Sequence, residues 1–378
     1  MKQVYLDYNA TTPVAPSVLE AMEPFLTTHF GNPSSSHAPG RAAAEGIEDA
    51  RMQVAALLGV DREEIVFTSG GTDSNNLAIK GIMLGSGSSG HLVISGIEHP
   101  AVTGPARFLE QLGFDLTVVP GQSNGVVRPG DIAAAIRPET RLVSVMHANN
   151  EIGTIQPLPE IAAICQEHSV LLHTDAAQTV GKIGTRPCEL GVDLLTLAGH
   201  KLYGPKGIGA LYVRDGLHLE PLMHGGDQEN GMRGGTENTA FIVGLGQACK
   251  LAAGCLDESS VRMAELRDRL HEGIEAEIGR PVPINGGQSL RLPGTLSIRL
   301  PGVSGHDLLR QCPEICASTG SACHSEIRDM SAVLADLGLT PQQAGETVRL
   351  SVGWYTSQED IDYAVAAIAA AWQNCLDT

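Results

Sequence analysis

The chain has 378 residues and a formal charge of −18 at neutral pH, a length that suits two domains at roughly 150 residues each. Such acidity disfavours nonspecific contact with nucleic acid or anionic membrane, so neither is expected as a partner. With no apolar run of membrane-spanning length and no basic, apolar leader before Tyr5, a cytoplasmic location is expected, with the cysteines as reduced thiols.

From about residue 64 to residue 213, apolar strands alternate with helical stretches, a pattern that builds a mainly parallel sheet with helices on both faces. The first unit, Glu64–Asn76 (EIVFTSGGTDSNN), is a short strand, a glycine pair and polar residues opening a helix that runs through Leu84. Backbone N–H groups at such a helix start, with the Thr72 hydroxyl beside Gly71, are suited to hold a phosphate; Thr72 as a plain N-cap fits equally well. The Gly85–Gly90 patch (GSGSSG) reads as a flexible loop. Next, His91–Pro100 (HLVISGIEHP) is a strand that delivers His99 to its end, where an imidazole can stack on a flat ring and move protons near neutral pH.

Val170–Asp175 (VLLHTD) is an apolar strand ending in an acid. Asp175 could cap the following turn, or could keep a pyridine nitrogen protonated. Val192–Ala198 (VDLLTLA) is a further strand, followed by the small-residue turn Gly199–Lys206 (GHKLYGPK). That turn carries Lys201, whose amine at a strand end can hold an aldehyde cofactor, pyridoxal phosphate (PLP), as a Schiff base. A helical stretch begins near Thr239 and includes Val261–Leu270; it leads to a second, α+β region with a strand from Thr295 to Leu300. The Ala-rich Ile361–Ala371 is a terminal helix.

Of the cysteines, Cys165, Cys249 and Cys255 lie in helical, Ala- and Leu-rich surroundings and read as small buried hydrophobes. The spacing of Cys312, Cys316 and Cys323 matches no common zinc pattern, so no metal is expected. Cys323 stands among small polar residues, Ser318–Ser325 (STGSACHS), where a thiolate stays accessible.

Taken together, these motifs resemble the cysteine desulfurases of the NifS-like group, in the class V aminotransferase family of fold-type I PLP enzymes, and also the related selenocysteine lyases. The resemblance covers nearly the whole chain, through Val4–Pro13 (VYLDYNATTP), Gly31–Ser35 (GNPSS), Met146–Gly153 (MHANNEIG), Arg233–Thr236 (RGGT) and Ala317–His324 (ASTGSACH). It implies an α/β fold: a large PLP-binding domain, 14–255, built on a mainly parallel seven-stranded sheet, and a smaller α+β domain, 1–13 with 256–378, carrying the cysteine loop.

It further implies that Lys201 carries the Schiff base, that Asp175 pairs with the pyridinium nitrogen and that His99 stacks on the ring. Asn150 and Gln178 would lie near the ring and its phenolic oxygen. Gly71, Thr72 and His200 would bind the phosphate, and Thr236 would reach a neighbouring subunit's phosphate in a homodimer. Catalysis is assigned to Cys323, Lys201 and His99: L-cysteine would yield alanine, leaving a persulfide on Cys323 for a sulfur-acceptor protein, such as an iron–sulfur scaffold or a sulfurtransferase. The chain ends at Thr378 soon after its last helix, whereas desulfurases that feed scaffolds are expected to extend further, which weakens the expectation of a scaffold partner and leaves a different acceptor, such as a sulfurtransferase, equally compatible.

Two positions depart from the family pattern. Many desulfurases have a phosphate-binding serine where this chain has Ala198, a feature shared with selenocysteine lyases, as is the Cys323–His324 pair. An arginine clamp for the substrate carboxylate is expected where this chain has Trp354, and an indole has neither the charge nor the fork geometry to replace it. Arg349 would point to the opposite face of a regular strand unless Gly353 bends the chain. Another cation, a different substrate, or a binding protein with little turnover would each account for Trp354.

Overall fold

A computed structural model describes residues 2–319 and 330–377. Its centre is a seven-stranded sheet whose spatial order is Ile65–Thr68, Gly209–Val213, Leu194–Ala198, Leu171–Asp175, Thr140–Ser144, His91–Ser95 and Asp115–Val119. Adjacent strands are parallel except Gly209–Val213, which runs antiparallel to both of its neighbours. This is the mainly parallel sheet expected from the alternation of strands and helices. Every residue of Ile65–Thr68, His91–Ser95, Leu194–Ala198 and Gly209–Val213 is buried. These strands are covered on both faces and therefore read as unbroken apolar runs. One apolar cluster, with Phe67, Val93, Val143, Leu172 and Leu195, fills one side, and another, with Val66, Leu92, Ile94, Leu142 and Leu194, fills the other.

A third cluster lies under a separate antiparallel sheet, in which Thr347–Ser351 pairs with Thr295–Arg299 on one edge and Ser318–Thr319 on the other. The start of the chain joins this region: Val4–Tyr5 pairs in parallel with Ile315–Cys316, and Val4 and Leu6 bury in the third cluster. Past Leu6 the chain turns away to the large sheet, where Thr12 N–H donates to the carbonyl of His200 at 2.9 Å. Residues 7–12 thus cross from one region to the other.

The two regions share one helix, Thr239–Ile278, of 40 residues. It contains a window apolar and long enough to cross a membrane, which corrects the expectation that the chain holds no such run. Its apolar residues are divided between cores. Ile242, Leu245, Ala248 and Cys249 pack in the first cluster, and Met263, Leu266, Leu270 and Ile274 in the third. The helix also packs along Pro16–Thr27, Ala38–Leu58 and Gln358–Leu376. A helix clad in protein on this scale is a core element.

Candidate active site

The carboxyl ends of the parallel strands converge on one edge of the large sheet, where open α/β folds leave a crevice. Strand Leu171–Asp175 ends in the acid itself, Leu194–Ala198 runs straight into the turn bearing His200 and Lys201, and His99 follows His91–Ser95 after a short loop. A cavity of about 400 Å³ opens there, within the range of sites that take small molecules. It is lined by Gly71, Thr72, His99, Asn150, Asp175, Gln178, His200 and Lys201 among others. The structure therefore brings together all the predicted cofactor residues except Thr236, which does not line this cavity. Cys323 and His324 lie outside the described residues.

The Lys201 amine donates to the backbone carbonyls of Asn9 at 2.6 Å and Ala10 at 2.8 Å. Burial, with the Arg349 charge adding to it, lowers its pKa to about 8, against the pull of Asp175 and Asp7. A pKa of 8 leaves roughly a tenth of the amine unprotonated at pH 7, against less than about one part in a thousand for an ordinary lysine. The free amine, which is the nucleophile, is thus well populated.

Asp175 is 7 % exposed. Its carboxyl group accepts from Asn75 Nδ2 at 2.7 Å and from the Ala177 N–H at 2.9 Å, which fix its orientation. His99 caps the helix Pro100–Gln111, its Nδ1 accepting from the Ala101 N–H at 3.1 Å. Its proton therefore sits on Nε2. Burial first, and then Lys201, hold its pKa below the usual histidine value despite Asp175, so the ring is neutral at pH 7. His200 is lowered further, to about 4, by burial and by Lys201, Lys206 and Lys182. It faces the cavity as a neutral donor rather than as a cation.

Gly71 opens the helix Gly71–Gly85, and the preceding Gly70 has φ +144°, a conformation that side-chain-bearing residues rarely adopt. The free N–H groups of this first turn meet the cavity at Gly71 and Thr72. Ala198 also lines the cavity and sits against Gly71, so the hydroxyl that a serine would offer here is absent.

The largest correction concerns the carboxylate clamp. Arg349 lines the cavity, whereas Trp354 does not. Its Nη2 donates to Asp7 Oδ1 at 2.7 Å and to Ser318 Oγ at 3.1 Å, and its Nη1 to the carbonyl of Asn150 at 3.0 Å. Among the described residues Nε is buried without a partner. Trp354 is turned the other way and its ring stacks on Tyr203, ring centroids 3.9 Å apart, while its backbone N–H donates to Tyr203 Oη at 2.6 Å. Gly353 makes this possible, because any side chain there would overlap the ring of Tyr8 and the hydroxyl of Tyr203. The sequence reading looked for the cation at the wrong one of two oppositely facing positions.

Asn9 and Asn75 were missed altogether. Asn9 contributes a main-chain carbonyl, which no side chain announces. Asn75 is fully buried one helical turn beyond Gly71; the sequence carried the i, i+4 spacing from Gly71 as a signal, but not the burial.

A bound PLP fits this donor set. There is an activated amine, an acid at a neighbouring strand end, helix N–H groups for phosphate, and two buried orphans among the described residues, Asn75 Oδ1 and Arg349 Nε, on groups that line the cavity. The thiols of the surrounding core are poor alternatives for sulfur chemistry: burial pushes Cys165, Cys249 and Cys312 up to about 12.

Comparison with known proteins agrees. Residues 4–364 match the family model described as aminotransferase class-V. The chain is 46 % identical to the cysteine desulfurase IscS of Dictyoglomus turgidum, over 96 % of this chain and 93 % of that protein. It is 44 % identical to a mitochondrial cysteine desulfurase of Arthroderma benhamiae, over 97 % of this chain and 74 % of that one. Among solved structures, a NifS-like protein superposes with a TM-score of 0.91 at 36 % identity, covering 98 % of this chain and 100 % of the other. A structure described as SspA in complex with cysteine superposes with a TM-score of 0.83 at 39 % identity, covering 94 % and 100 %.

Proposed function

The chain belongs to the class V aminotransferase family, and from that premise we propose that it is a PLP-dependent cysteine desulfurase, converting L-cysteine to L-alanine and passing the sulfur to Cys323. The observation that carries this reading is the meeting of Lys201, Asp175, His99 and Arg349 in one cavity. PLP, when bound, would supply an electron sink for the pair released from the substrate α-carbon.

The chain's own residues do the rest. Lys201 would hold the aldehyde, and its amine, of near-neutral pKa, is placed to take a proton from the substrate α-carbon. Asp175 would pair with the pyridine nitrogen. His99, neutral and with its proton on Nε2, would lie against the ring. Gly71, Thr72 and His200 would hold the phosphate, and Asn150 and Gln178 would border the ring. Arg349 receives the substrate carboxylate through the hydrogens not spent on Asp7, Ser318 and the Asn150 carbonyl, which fix its plane. The Cys323 thiolate attacks the substrate sulfur; the carbon–sulfur bond breaks, one sulfur atom moves to Cys323 as a persulfide, and the three-carbon product takes up a proton to leave as alanine.

We place Thr236 at the cavity of a second copy, which makes the active unit a homodimer, and the persulfide's destination in a separate acceptor protein. A cytoplasmic setting with reduced thiols goes with this chemistry. Selenocysteine lyase is the second reading, favoured by Ala198 and by the Cys323–His324 pair. The ground for a non-catalytic binding protein, the indole at position 354, falls away now that Arg349 faces the cavity.

Alanine release from cysteine and from selenocysteine separates the first two. A desulfurase with Cys323→Ala loses release from cysteine and shows no added sulfur at position 323 by mass spectrometry, whereas a lyase retains release from selenocysteine. Cysteine turnover that survives Cys323→Ala would show that another group is the sulfur acceptor.

A further inference from the structure

Beyond the cavity wall lies a second buried lysine for which the reaction has no use. Lys182 is 8 % exposed, and its amine makes one hydrogen bond, 3.0 Å to Gln178 Oε1. The titratable groups that act on it or feel it are Lys201, Arg349 and His200. No carboxylate pairs with it among the described residues. Burial, Lys201 and Arg349 lower its pKa to about 7. A cation kept in such company needs an electron-rich partner, and the one it has is the carboxamide oxygen of a cavity residue.

The backbone forces the two side chains together. After Asp175 the chain makes consecutive turns, with Val180 N–H bonded to Ala176 O at 3.0 Å and Lys182 N–H to Thr179 O at 2.9 Å. Gly181, at φ +76°, packs against Ala252 and Leu202, which closes the turn with Lys182 pointing back along Gln178. Gln178 then donates from Nε2 to the Asn9 carbonyl at 2.9 Å, the same carbonyl that accepts from Lys201. A carboxamide has two orientations related by a half-turn. One satisfies both neighbours; the other sets its NH₂ against an ammonium and its oxygen against a carbonyl.

We propose that Lys182 is a positioning residue: its amine, donating to Gln178 Oε1, holds the Gln178 carboxamide with the NH₂ group toward the cavity, so that Gln178 presents a donor to an anionic oxygen bound there. This rests on the cavity taking PLP, whose ring bears a phenolic oxygen. The amide hydrogen not spent on Asn9 is the one available to it. With that donor fixed, the oxygen stays ionised to lower pH.

The test is an absorbance titration of PLP-loaded protein, following the pH midpoint of the visible band. Lys182→Met should raise the midpoint by about one pH unit, as expected for loss of a nearby donor and charge. Lys182→Arg should return it to within a few tenths of the parent. In a Gln178→Met background, Lys182→Met should have little further effect. A lysine that acted through its charge alone would shift the midpoint equally in both backgrounds, and that result would overturn the proposal. So would a midpoint unchanged by Lys182→Met. Lys182→Ala serves the same comparison if the Met variant is not recovered folded. Protein that takes up no PLP at all would instead refute the underlying reading, which separates the two failures.

Discussion

Arg349→Ala offers the sharpest perturbation of the substrate site. The guanidinium is held by Asp7 at 2.7 Å, Ser318 at 3.1 Å and the Asn150 carbonyl at 3.0 Å, leaving its Nε–H and one Nη1–H for a substrate carboxylate. Two charge-assisted hydrogen bonds at ~1.5–3 kcal/mol each amount to about 3–6 kcal/mol of lost binding, a factor of about 150 to 25,000 in kcat/KM. Steady-state alanine formation should show the loss mainly in KM, because the carboxylate is gripped in ground state and transition state alike. The visible cofactor band should persist, since the arginine is assigned to substrate alone. Lys at this position, a point charge without the fork, should recover only part of the loss. Trp354→Phe should leave KM within about threefold, because a substitution away from the binding contacts changes little. If Arg349→Ala left KM unchanged while Trp354→Phe raised it, the placement of the carboxylate would be wrong.

The Lys201 amine gives a pH dependence with a defined sign. With a folded pKa of about 8, uptake of PLP by cofactor-stripped protein should quicken about tenfold per pH unit below that value and level off above it, as read by stopped-flow absorbance. Glu98 is buried beside the site, with its pKa raised to about 8 by burial and by Asp175, against hydrogen bonds from Ser95 and the Met146 N–H. The folded protein therefore keeps a proton that the unfolded chain has released between pH 4.5 and 8, so the contribution of Glu98 to stability falls as pH climbs through that window. Urea melts of Glu98→Gln should show a weaker loss between pH 6 and 8 than the parent. Gly353→Ala should cost about 1–3 kcal/mol by overpacking and lower the urea midpoint, because Tyr8 and Tyr203 occupy the space a methyl needs. Cys249→Ala should lower stability yet spare kcat, since that thiol is fully buried in the first core.

Much of this was legible from residues alone, for physical reasons. A run such as Leu194–Ala198 has no polar face, which in a short segment means a strand covered on both sides, and an acid or a lysine at the end of such a run stands at a sheet edge where ligands bind. Asp175, Lys201 and His99 were found in this way. Arg349 was not, because alternation along a strand says that positions 349 and 354 face oppositely without saying which one meets the cavity. That is decided by the pairing of Thr347–Ser351 with Ser318–Thr319 and by the turn at Gly353, both tertiary facts. The Asn9 carbonyl was invisible for a simpler reason, that main-chain acceptors carry no residue code. The long helix Thr239–Ile278 misled in the opposite direction, because an apolar window has the same composition whether lipid or protein covers it.

The account stands on Lys201 as the residue that holds the cofactor aldehyde. Loading the protein with PLP, reducing it with borohydride and mapping the peptides by mass spectrometry should place the phosphopyridoxyl group on Lys201. A label on Lys182 or on a surface lysine, or no label at all, would contradict it.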